Sequence, residues 1–164
     1  MKALGRALIV RLYRNFKPWL EVLEQQYATR ESIGLSPGLL YFPAFLIRLT
    51  DEVARSHRYQ RELGLLVFEV AHLPLRKQRV VEVALRDALR RADVPARLSD
   101  HLLGVLLPET SQGAAAAATR LALLLSAVAG SPISGGYARY PEDGNSVSDL
   151  IRVATERSQA PDGF

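Results

Sequence analysis

Residues 90–108, RRADVPARLSDHLLGVLLP, constrain this chain more than any other stretch. Val94–Leu98, apolar but for Arg97, and the apolar run Leu102–Leu107 stand on either side of Ser99-Asp100-His101. A gap that short joins antiparallel strands, so the pair predicts a hairpin. Upstream, Leu63–Val70 is a continuous apolar run that reads as a buried strand. Between them, Leu75 to Arg91 carries Val80, Val81, Ala84, Leu85, Ala88 and Leu89 at helical spacing. A helix over Pro43–Ser56 precedes the first strand. After the hairpin comes a helix rich in Ala114–Ala118, which Thr110 or Ser111 can cap. A strand over Ile133–Tyr140, a turn at Pro141–Gly144 and a closing helix over Ser146–Ser158 complete the order. The prediction is an α+β fold of ferredoxin-like, palm type. Its βαββαβ core forms an antiparallel sheet with flanking helices.

The 164 residues, 48% of them hydrophobic, suit one such domain plus an extension. Residues 1–35 are the extension, with Leu12, Phe16, Leu23 and Tyr27 on one helical stripe that Pro18 interrupts. Such a stripe can pair with its own copy, pack on the domain or dock on a protein partner. Ser36-Pro37-Gly38 opens the domain, expected over residues 36–160, and residues 161–164 form a frayed tail. No apolar run is long enough for a membrane helix or a signal peptide, so no membrane insertion is expected and the chain is placed in the cytoplasm. Without cysteine there is no disulfide or thiol chemistry. The net charge of +4, with 18 of the 21 basic residues arginine, suits an anionic ligand, nucleic acid or an acidic partner. A genome that favours arginine codons accounts for the same bias.

Several pieces together carry a family resemblance. Ser36-Pro37-Gly38-Leu39-Leu40-Tyr41-Phe42-Pro43-Ala44-Phe45 is similar to the opening L-T-G-L-P-N-R-R-x-F of GGDEF, or diguanylate cyclase-like, domains. Glu69, Val70 and Ala71 stand where that family has D-I-D. Ser134 to Gly144 resembles its S-I-G-V-A-x-Y-P-x-D-G, and Ala154-Thr155-Glu156 falls where it has A-D-x-A-L-Y. Ser99-Asp100-His101-Leu102-Leu103 replaces the GGDEF pentapeptide itself, ahead of the family-like strand Gly104–Pro108. The resemblance covers residues 36–160 and implies the fold predicted above.

It also implies where chemistry belongs. A cyclase holds two divalent ions and a triphosphate with hard carboxylates. Of the implied positions only Glu69 keeps one; Ala71, His101 and Leu102 stand at the others. The chain between Ala71 and Leu75 is also shorter than the family's guanine-recognising loop. The resulting expectation is a degenerate domain that is not an enzyme, with no catalytic residue, no metal and no cofactor.

Arg90 and Asp93 read differently. Three apart at the end of a helix, such a pair is ordinarily solvated and contributes well under about 1 kcal/mol. The resemblance places Arg90-x-x-Asp93 at the family's separate inhibitory site, which takes cyclic di-GMP, with Arg120 at the position of a second arginine. A guanidinium fork suits guanine O6 and N7 or a phosphate, and a carboxylate accepts from guanine N1 and N2. The expected function is therefore a cyclic di-GMP receptor acting through Arg90, Asp93 and Arg120. A ligand-independent interaction scaffold is the alternative.

Other chemistry finds little support. His57, His72 and His101 lack metal-ligand spacing, and no phosphate-cradling G-x-x-x-x-G-K-[ST] loop exists. The hairpin strands carry no aromatic residues for stacking on bases, so nucleic acid is not an expected partner.

Overall fold

The computed structural model describes residues 38–160. The stripe through Leu12, Phe16, Leu23 and Tyr27, the Ser36-Pro37 part of the opening and the tail at 161–164 lie outside the described residues. Among the described residues five strands and four helices follow one another: β1 (Leu40–Tyr41), α1 (Phe42–Tyr59), β2 (Leu63–Glu69), α2 (Leu75–Ala88), β3 (Val94–Arg97), β4 (Leu102–Pro108), α3 (Ala114–Ala129), β5 (Gly135–Tyr140) and α4 (Val147–Gln159). Among the described residues no helix is long and apolar enough to cross a membrane.

The strands form one sheet in the order β1-β3-β4-β2-β5. Four of them are antiparallel neighbours, as the βαββαβ pattern predicts. The two-residue β1 adds a parallel pairing, Leu40 with Ala96 and Tyr41 with Arg97, so the sheet is mixed rather than purely antiparallel. Alternation along β2 explains its unbroken apolar run, because helices cover both faces. Leu66 and Phe68 join Leu103, Val105, Val81, Leu85, Leu121 and Leu125 in a core beneath α2 and α3. Leu65 and Val67 point the other way, toward the layer of α1 and α4, which contributes the fully buried Phe42, Phe45, Leu49, Leu150 and Ala154.

Two elements end differently from their sequence pattern. Apolar spacing predicts a helix through Arg91, but α2 stops at Ala88 and Leu89 turns to extended backbone, ψ 156°. The cause is the Asp93 carboxylate, which accepts from the Arg90 N–H at 3.0 Å and offers that backbone a turn instead of another helical bond. Neither Thr110 nor Ser111 caps α3 by its side chain: Gly113 is the N-cap residue. The Ser111 hydroxyl is drawn instead to Glu62, donating to Oε2 at 2.5 Å, while its carbonyl accepts from the Ala114 N–H at 3.0 Å. Ser146 does cap α4, its hydroxyl accepting from the Asp149 N–H at 3.1 Å.

Candidate functional site

The residues singled out by sequence fall at two places, one in the turn after the end of α2 and the other beside its start. The first is the turn Arg90-Arg91-Ala92-Asp93, between α2 and β3. It is closed by the Arg90 N–H on Asp93 Oδ2 and by the Asp93 N–H on the Arg90 carbonyl at 3.1 Å. One carboxylate oxygen is thereby fixed and orients the group. Arg90 and Arg91 are exposed, and neither guanidinium has a partner among the described residues. Arg91 belongs to this turn and not to α2, which ends at Ala88.

Arg120 lies in the second turn of α3 and is exposed. The Lys77 ammonium donates to the Ala129 carbonyl at 2.8 Å, so the start of α2 meets the end of α3 and the two packed helices run antiparallel. The start of α3, with Arg120, is accordingly beside the end of α2, where the Arg90–Asp93 turn begins. Two turn arginines, a carboxylate with one oxygen committed and a third arginine on the neighbouring helix thus share one end of the layer. The combination offers guanidinium forks to an anion or a guanine edge and an acceptor to guanine N–H groups.

The second place is the hairpin turn Ser99-Asp100-His101. It is held from several sides. The His101 carbonyl accepts from the Val70 N–H at 2.7 Å, and the His101 N–H donates to the Ser99 hydroxyl at 3.1 Å. From beneath, Arg97 Nη1 donates to the Ser99 and Asp100 carbonyls at 3.2 and 3.5 Å and to Gln78 Oε1 at 3.2 Å. Arg97 Nε donates to Glu82 Oε1 at 2.5 Å, and Nη2 contacts the same oxygen. The Gln78 amide completes the network, donating to the Val70 and Leu73 carbonyls at 3.2 and 2.9 Å. No role for Arg97 follows from motif reading. The detectable signal was polar residues at inward positions: Gln78 and Glu82 sit four apart beside Val81 and Leu85, and Arg97 ends an apolar strand.

At the strand ends where two divalent ions would be expected, Glu69 pairs directly with Leu102, which is buried. Glu69 Oε1 accepts from the Ala71 N–H at 2.9 Å, and His101 is exposed in the turn. Among the described residues no three His, Asp or Glu side chains gather as metal ligands. This donor set does not fit a pair of magnesium ions. His57 is elsewhere, its Nδ1 3.4 Å from the Tyr140 hydroxyl.

No family model and no curated protein matches the sequence. Solved structures do match. The FimX GGDEF domain from Pseudomonas aeruginosa is 18% identical with a TM-score of 0.63, over 76% of this chain and 90% of its own. The diguanylate cyclase SiaD from the same organism, in complex with its activator SiaC, is 20% identical with a TM-score of 0.60, over 94% of this chain and 67% of its own. The coiled coil and GGDEF domain of DgcB from Caulobacter crescentus, in complex with c-di-GMP, is 16% identical with a TM-score of 0.63, over 93% of this chain and 92% of its own. The described domain has the GGDEF fold.

These neighbours correct one expectation. The altered pentapeptide suggested a chain that is not an enzyme, yet the fold is shared with SiaD, a diguanylate cyclase. Substitution at a few motif positions reports which metal ligands are missing; it does not assign the absence of activity.

Proposed function

We propose that this GGDEF-fold domain binds cyclic di-GMP through Arg90, Asp93 and Arg120 and serves in signal transduction. The observation that carries the reading is the closed Arg90–Asp93 turn, in which one backbone bond orients the carboxylate and leaves the Arg90 guanidinium exposed. Arg90 takes a phosphate or the guanine O6 and N7 edge, and the open Asp93 oxygen accepts from guanine N1 and N2. Arg120 adds charge from the start of α3. That DgcB is seen in complex with c-di-GMP on the same fold supports the choice of ligand. The same reading places the chain in the cytoplasm and gives residues 1–35 to a homodimer or a protein partner.

Calorimetric titration of the full chain with cyclic di-GMP tests it. A dissociation constant of about micromolar or tighter is expected, roughly 8 kcal/mol of binding free energy. The absence of heat and of any thermal stabilisation at high ligand concentration refutes the reading, and the interaction scaffold takes its place.

A further inference from the structure

α2 and α3 lie side by side on one face of the sheet, over the core that holds Val81, Leu85, Leu121 and Leu125. Their outer sides therefore point the same way, away from the strands. Three apolar residues stand there. Val80 lies between the buried Gln78 and Glu82, Val83 between the buried Val81 and Leu85, and Leu123 between the buried Leu121 and Leu125. Two residues along a helix is about 200° of rotation, so each is set opposite the buried face, on the crest of its helix. They are 52%, 38% and 69% exposed, and Leu124 and Val128 are exposed beside Leu123. Apolar residues gathered on one face in this way mark a contact surface.

The charge around them says with what. α2, the Arg90–Asp93 turn and α3 together carry Lys77 and six arginines against three acids. Of those acids, Glu82 is buried against Arg97 and Asp87 is paired with Arg86 at 2.8 Å. α1 and α4, on the other face, carry five arginines against four acids, close to balance. Positive charge is thus gathered on the side that exposes the apolar crests. A second copy of this face would set like charges against each other. A partner helix needs a groove to lie in, whereas crests are convex and suit a soft, anionic phase.

We propose that this face is a peripheral docking surface for an anionic lipid bilayer. The crest side chains enter the headgroup layer and the arginines around them, Arg76 among them, meet lipid phosphates, with the domain resting on the membrane rather than spanning it. The inference does not rest on cyclic di-GMP binding.

Co-sedimentation of the full chain with vesicles, in the absence of cyclic di-GMP, tests it. Vesicles of phosphatidylcholine and phosphatidylglycerol in about equal parts should carry the protein down, and phosphatidylcholine alone should not. Salt at about 1 M, which screens charges beyond about 3 Å, should release it. Leu123→Glu puts a charge on a crest and Arg76→Glu reverses one beside it; each should weaken binding about tenfold or more. Arg48→Glu, on α1, makes the same change in net charge as Arg76→Glu on the other face and should shift binding by no more than about twofold. All three positions are exposed, so the fold is not at stake. A chain that binds neither vesicle overturns the proposal and leaves the face to an acidic protein partner. Binding that Leu123→Glu and Arg76→Glu leave unchanged also overturns it, since the lipid would then be held by the basic residues up to Lys17. So do equal losses for Arg76→Glu and Arg48→Glu, which would reduce the effect to overall charge.

Discussion

The Arg97 guanidinium and the Glu82 carboxylate lie against each other beneath the hairpin turn, each side chain only 5% exposed. Removing one partner strands a buried charge, whereas removing both leaves an apolar gap that can be filled. Glu82→Ala should therefore lower stability by about 3–5 kcal/mol, while Glu82→Leu combined with Arg97→Met should sit near wild type or above it. Urea unfolding measures both. A loss under about 1 kcal/mol for Glu82→Ala would mean that water reaches Arg97 and that the network contributes little.

Arg90→Ala should weaken cyclic di-GMP binding roughly tenfold or more, about 1.4 kcal/mol, and Asp93→Ala should act through lost guanine recognition. Because Arg91 shares the turn, the control belongs on another layer: Arg152, on α4 and paired with Glu156 at 3.2 Å. Arg152→Ala should leave the titration unchanged. Equal losses for Arg90 and Arg152 would reduce the effect to overall charge.

Gly136 marks where α4 crosses β5 most closely. A Cβ there would stand 2.2 Å from the Ala154 carbonyl and 2.4 Å from the Ser158 nitrogen, both helix backbone that cannot swing aside. Gly136→Ala should cost about 1–3 kcal/mol or more by forcing α4 off the sheet. A thermal melt within experimental error of wild type would show that the helix shifts freely.

Burial alone would raise the Asp143 carboxyl, but the hydrogen bonds from Arg157 and from the Arg139 backbone, with the charge on Arg157, outweigh it and hold it below the ordinary value of 3.8. Arg139 also reaches this carboxylate, at 3.4 Å, and pairs with Glu142 on the same turn. A carboxyl depressed in the folded state takes its proton more readily when unfolded, so its contribution is complete above 3.8 and drains away as pH falls through the lower folded value. Urea midpoints taken from about pH 6 to about pH 2 should show wild type and Asp143→Asn converging in acid. A gap that stays constant over that range contradicts the linkage.

Much of the fold was legible because burial on both sheet faces left an unmistakable mark. β2 and β4 are apolar at nearly every position, and the short gap at Ser99–His101 allowed only a hairpin. The turn at Arg90–Asp93 was legible as a spacing, but not as a turn, since Leu89 continues the helical rhythm and the Asp93 carboxylate acts from three residues downstream. Arg97 was not legible as a buried residue. Its burial depends on Gln78 and Glu82 arriving from another element: their spacing marks them as inward polar groups, but nothing local names Arg97 as their partner. The pairing of Asp143 with Arg157 was hidden for the same reason: the two are fourteen residues apart and meet only after α4 has folded back.

Lys77 is the one lysine among the described residues, and its ammonium is tied to the last carbonyl of α3. That gives the domain a single amine through which the junction of two helices can be watched. An amine-directed label therefore reports how often that one hydrogen bond opens, read from the Lys77 peptide apart from those of Lys2 and Lys17 in the full chain.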